Sequence, residues 1–219
     1  MKNHGLVIIL LLFFALTTEA RGFLNTKQIT LREERFKAEI DFPTGGNPDV
    51  IAQVKLWICD VLDTDAPSRL RENDFRDLLL RCCGAFEESY EKGSRKVEVV
   101  RSYEDANVVT FESKVTDNDS TVWITEDCAC FSKHDGHRLT AGEIFDCNES
   151  QIKQLMWHYR GDIPTGMDGP KGLVVGNAGF IDGWIIVIGP AENSAGRAYR
   201  VRYQAAEPYL KKSKDGEYY

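Results

Sequence analysis

The residues best equipped for chemistry crowd into one short stretch: Glu126, Asp127, Cys128, Cys130, His134, Asp135 and His137. Carboxylates beside imidazoles can pass protons near neutral pH, and the same groups can ligate a metal. A hydrolase of envelope polymers working through Glu126 and His134 is one expectation. The bland reading is stronger. Asp135-Gly136 has the composition of a tight turn, where Gly supplies a positive φ and Asp bonds nearby backbone. His134 and His137 then flank a turn in solvent. Zinc would need Cys128-x-Cys130 together with these histidines. Structural zinc prefers wider spacers and a second matching thiolate pair, which the adjacent Cys82-Cys83 do not supply. The expectation is therefore no metal and no catalytic residue here.

No cofactor is expected either. Gly176-Asn177-Ala178-Gly179 lacks the Gly-x-x-x-x-Gly-Lys pattern that cradles phosphate, and reads as a turn. No Gly-x-Ser-x-Gly elbow is present. Four tryptophans could stack on sugars. Trp57 falls on an apolar helix stripe and Trp184 in an apolar strand, so both are expected in the core. Trp123 and Trp157 sit in more polar surroundings and are the candidate ligand platforms.

These residues need a scaffold, and its elements can be read from periodicity. Residues 35–42 alternate, with Phe36, Ala38, Ile40 and Phe42 on one face, and Pro43-Thr44-Gly45-Gly46 is expected to break that strand. Asn47 caps a helix with Pro48 at its first position, and Val50, Val54, Trp57, Ile58 and Val61 form its inward stripe. A second helix covers about 72–91 through Phe75, Leu78, Leu79, Cys82, Phe86 and Tyr90. Strands follow at 96–103, 107–114 and 121–132. Thr140 and Glu143 have capping-box spacing for a short helix, and 151–159 is another. A Gly/Pro-rich loop covers 161–172, then strands at 180–188 and 197–203 close the pattern. This is an α+β domain: a mostly antiparallel sheet with two longer helices packed on one face.

The first twenty residues look like a secretory signal peptide. Lys2 precedes an apolar run from Leu6 to Leu16, then Thr18-Glu19-Ala20. The run is shorter than the ~20 residues a membrane-spanning helix needs. The expected organisation is a signal peptide at 1–20, an N-terminal extension at 21–34, a single domain at 35–210 and a polar tail at 211–219. The product would be secreted or periplasmic, and not integral to the membrane after cleavage. A net charge of −7 argues against nucleic acid, which requires a basic footprint. It also offers no polybasic patch for anionic lipid.

Six cysteines in an exported chain favour disulfides: Cys59, Cys82, Cys83, Cys128, Cys130 and Cys147. Connectivity stays open. Cys59 with Cys82 or Cys83 would join the two helices, and Cys147 is a reasonable partner for Cys128 or Cys130.

An ordered set of segments resembles a bacterial extracytoplasmic domain family. It occurs in lysozyme-sensing anti-sigma factors (RsiV-like) and beside polysaccharide deacetylases. The matching pieces are Phe36-Lys37-Ala38-Glu39-Ile40-Asp41-Phe42-Pro43, Trp57-Ile58, and Asp135-Gly136-His137-Arg138-Leu139-Thr140 leading to Ile144-Phe145. Phe180-Ile181-Asp182-Gly183-Trp184-Ile185-Ile186-Val187, Tyr199-Arg200-Val201-Arg202-Tyr203 and Pro208-Tyr209-Leu210 complete it. Where that family carries a Gly-Gly-Ala-His-Gly-like loop, this chain reads Thr125-Glu126-Asp127-Cys128-Ala129-Cys130. The resemblance implies the fold, a place outside the cytoplasm, and a non-catalytic module that binds a protein or a cell-wall glycan. Lysozyme, a basic protein, is one candidate partner for the acidic surface.

Overall fold

The computed structural model describes residues 22–67, 70–90, 92–192 and 194–212. The expected leader at 1–20 and the last residues of the expected tail lie outside them. The chain starts with β1 (Asn25–Arg32) antiparallel to β2 (Phe36–Gly45). The segment expected as an N-terminal extension thus supplies the first strand of the sheet. β2 carries on through Pro43, where a break was expected. Its pairing with the next strand ends at Ile40, so the missing N–H of Pro43 faces no neighbour on that side.

Helices α1 (Pro48–Val61) and α2 (Glu72–Ser89) connect β2 to β3 (Ser94–Glu104), which runs parallel to β2. A parallel pair requires such a crossover. Asn47 caps α1 as its residue type suggests, with Oδ1 accepting the Asp49 N–H at 3.0 Å. β4 (Val108–Asn118), β5 (Val122–Ser132) and the short β6 (Arg138–Leu139) complete a six-stranded sheet in sequence order. All its pairings except β2–β3 are antiparallel.

One face of this sheet meets the two helices. Phe36, Ala38, Ile40, Val97, Val99, Phe111 and Phe131 pack there against Val54, Trp57, Ile58, Phe75, Leu79 and Phe86. Full burial of each such side chain contributes about 1.5–3 kcal/mol. The α2 register differs slightly from expectation. Cys83 is buried while Cys82 is half-buried, and Tyr90 is exposed though it stacks on Phe86 at 4.9 Å.

The other face carries a second layer. After α3 (Ala141–Ile144) and α4 (Glu149–His158), three strands form a separate antiparallel sheet: β7 (Ala178–Ile181), β8 (Trp184–Ala191) and β9 (Ser194–Arg202). The run at 180–188 was expected as one strand. Asp182-Gly183 instead turns the chain, with Gly183 at φ +72°, and makes β7 and β8 a hairpin. Cys130, Val108, Phe180, Ile185, Val187, Tyr199 and Met156 fill the core between the layers.

Candidate functional site

The titratable cluster divides because alternate residues of a strand face opposite sides. Asp127 points to the helix side and Glu126 to the second-sheet side. Asp127 is a hub. Its Oδ2 accepts the Trp57 indole N–H at 3.0 Å and an Arg138 N–H at 3.1 Å, and its Oδ1 accepts an Asn177 side-chain N–H at 2.6 Å. Arg138 also donates to the Cys128 carbonyl at 2.9 Å. Two remote segments and the neighbouring strand β6 thereby meet at one carboxylate.

Glu126 is tied as firmly. Its Oε2 accepts Arg197 Nε at 2.8 Å and the Ala198 N–H at 3.1 Å, and Arg200 stands 4.0 Å from Oε1. Burial pushes this carboxyl up, but the Ala198 N–H and the Arg197 guanidinium outweigh it and hold it below its ordinary range. Arg200 also reaches Glu112 at 2.5 Å. A cleft of about 380 Å³ opens beside these groups, bordered by Trp57, Asp60, Thr125, Arg138 and Asn177.

His134 is not part of this arrangement. It sits exposed in the turn after β5, its N–H near Ser132 Oγ. At about 3.3 Å rise per residue, the six positions from Glu126 to Ser132 already span roughly 20 Å. The Glu126–His134 pair needed for acid/base work is not formed. His137 lies instead between two carboxylates, with Nδ1 at 2.7 Å from Asp135 and Nε2 at 3.2 Å from Glu143. The hydrogen bond to Asp135 raises the His137 pKa, and Glu143 adds to the effect. Glu143 doubles as the helix cap, accepting the Thr140 N–H at 2.8 Å. Gly136, at φ +77°, is further required because a Cβ there would lie 2.6 Å from the Asp49 backbone.

All six cysteines are free thiols here. The expected staples between α1 and α2 and between β5 and Cys147 are therefore not formed in this structure. Cys128 and Cys130 point into apolar surroundings between the two sheets and fill space there. Burial pushes Cys130 up to about 12, Cys59 to about 11 and Cys128 well above the ordinary thiol value. Such thiols are poor nucleophiles and poor metal ligands. Among the described residues, no three His, Cys, Asp or Glu side chains converge to hold a metal.

The tryptophans separate clearly. Trp57 is buried, as expected. Trp184, expected in the core, is half-buried beneath the Arg202 guanidinium. Trp157 is half-buried with Arg160 stacked 3.9 Å from its ring, so one face is already occupied. Trp123 is 44% exposed and remains an open platform. Sequence reasoning missed Asn177 and Arg197, whose partners lie 50 and 71 residues away, and Arg138, which reaches Asp127 only once the short β6 pairs with β5.

No family model matches the chain, and no curated protein matches it. Solved structures do match, among them the following two. One is a DUF3298 family protein from Bacteroides fragilis NCTC 9343, with TM-score 0.58 and 10% identity over 88% of this chain and 95% of that one. The other is a DUF3298 family protein from Pseudomonas aeruginosa PAO1, with TM-score 0.50 and 10% identity over 88% and 96%. The likeness is one of fold. That family is uncharacterised, so its fold carries no activity with it. Among the described residues, no helix is long and apolar enough to cross a membrane.

Proposed function

We propose that the chain is an exported, non-catalytic binding module of the bacterial cell envelope, secreted or periplasmic, whose ligand is a protein or a glycan. The observation that carries this reading is the committed state of Glu126 and Asp127. Both carboxylates hold the fold together through Arg197, Ala198, Trp57, Arg138 and Asn177. Among the described residues, neither carboxylate is hydrogen-bonded to an imidazole with which to exchange a proton. The signal-like first twenty residues support export. The acidic balance of −7 favours basic protein partners, of which lysozyme is the first to try.

The test is calorimetry of the purified domain against lysozyme and against soluble peptidoglycan fragments, at low and physiological salt. Saturable heat with either ligand supports the module. A protein partner held by charge should weaken as screening shortens to about 8 Å. Release of new reducing ends or peptides from the fragments would overturn the reading.

A further inference from the structure

The register of the large sheet builds a strip that none of the sequence motifs announces. On the helix-side face, Phe36 of β2 stands beside Arg95 of β3, Arg95 opposite Asp117 of β4, and Asp117 opposite Trp123 of β5. Cross-strand neighbours of this kind share a face, at about 4.8 Å per strand. Arg95 and Asp117 form a two-pronged pair, Nε to Oδ1 at 2.6 Å and the second guanidinium nitrogen to Oδ2 at 2.9 Å. The pair is flat and mutually neutralising. Beyond Arg95 the strip continues onto α2, because the guanidinium lies 5.2 Å from the Phe86 ring and Phe86 stacks on Tyr90.

Two aromatic side chains end up exposed at its two ends, Trp123 at 44% and Tyr90 at 45%. The indole N–H of Trp123 is held by Thr125 Oγ1 at 3.2 Å, which fixes the ring. Over the Arg95 end a cleft of about 460 Å³ opens, walled by Phe86, Tyr90, Thr64 and Ser89, with one charge of each sign, Asp63 and Arg81, on the same wall. That volume falls within the range of small-ligand sites, roughly 300–1,000 Å³.

We propose that this strip binds a neutral oligosaccharide, which deepens the envelope-module reading and rests on it. The chemistry selects that occupant. Exposed aromatic faces offer stacking surfaces to the C–H faces of sugar rings. The Arg95–Asp117 pair presents donors and acceptors side by side with no net charge to offer, which suits hydroxyl and acetamido groups. The hydroxyls of Thr64 and Ser89 add further polar contacts in the cleft. A charged peptide would find its counter-charge at the centre of the strip already paired.

The probe is a series of uncharged N-acetylglucosamine oligomers, titrated into the intact mature chain by calorimetry and tryptophan fluorescence. Affinity should rise with length as the ligand comes to span both ends, and should hold constant between low and physiological salt. Trp123→Ala and Tyr90→Ala, both at exposed positions, should each weaken binding by on the order of tenfold while the variants stay folded, the unfolding midpoint falling only slightly as Tyr90 leaves Phe86 and Trp123 leaves Thr125. Loss of the fluorescence response in Trp123→Ala would assign the signal to that ring. Absence of binding across the series overturns the strip. Equal affinity of both variants with the parent chain also overturns it. If the oligomers fail while lysozyme gives saturable heat, the sugar strip falls and the binding module stands.

Discussion

Trp57 donates its indole N–H to Asp127 across 3.0 Å, joining the middle of the first helix to a strand seventy residues further along the chain. The same carboxylate accepts from Arg138 and Asn177. Asp127→Ala should therefore leave three donors without their acceptor in a half-buried place. The expected loss is about 2–4 kcal/mol, measured as a shift of the urea midpoint at unchanged m-value. Asp127→Asn, which keeps one carbonyl acceptor, should lose less. A neutral alanine variant would show that the hub contributes nothing to holding the layers.

Glu104 and Lys133 form an ion pair at 2.9 Å with both side chains almost entirely buried. Glu104 also accepts the Leu24 N–H at 2.7 Å, so it fastens the start of the described chain to the sheet. Removing one partner leaves the other charge buried. Glu104→Ala should cost about 3–5 kcal/mol. The double variant Glu104→Leu/Lys133→Met should recover part of that loss, read by chemical unfolding. Full additivity of the Glu104→Leu and Lys133→Met single losses in that double variant would contradict direct coupling.

His137 should titrate above its ordinary value of about 6.5, because Asp135 and Glu143 both favour the imidazolium. A raised folded-state pKa means the ring's contribution to stability is complete below the unfolded value and disappears as pH rises through the folded one. Asp135 and Glu143 move the other way: both are held low, Asp135 chiefly by its hydrogen bond to His137, Glu143 chiefly by the Thr140 N–H. Their contributions are present above the unfolded carboxyl values and disappear on acidification. Ring-proton shifts followed by NMR test this, and Asp135→Asn should move the His137 midpoint down. An unmoved midpoint would mean that the pair does not exist in solution.

Cysteine labelling under reducing conditions offers a map of burial. Cys82 and Cys147 are half-buried, while Cys59, Cys128 and Cys130 are fully enclosed. In the native chain at mildly alkaline pH, alkylation followed by mass spectrometry should modify the first two well before the others. Rapid modification of Cys128 or Cys130 would contradict their place between the sheets.

The chain's fold class was legible because periodicity is a local signal. Val50, Val54, Trp57 and Ile58 announce α1 without knowledge of anything else, and Asn47-Pro48 marks its start. The second sheet was not legible as a separate layer. Its strands 178–202 look like any others in sequence, and only the turn at Asp182-Gly183 hinted that one apolar run is two strands. The site was legible in part. Glu126 and Asp127 stood out as titratable neighbours, but their roles depend on Arg197 and Asn177, which lie 71 and 50 residues away. The row from Arg95 through Asp117 to Trp123 follows from strand register, which a single sequence does not state.

The central claim is that this chain binds an envelope component without transforming it. Calorimetry of the purified domain with soluble peptidoglycan fragments, paired with analysis of the same fragments after prolonged incubation, tests it most directly. The account predicts chemically unchanged fragments, with saturable heat from these fragments or from lysozyme titrated in parallel. Cleaved fragments, with cleavage abolished in a folded Glu126→Ala variant, would contradict it.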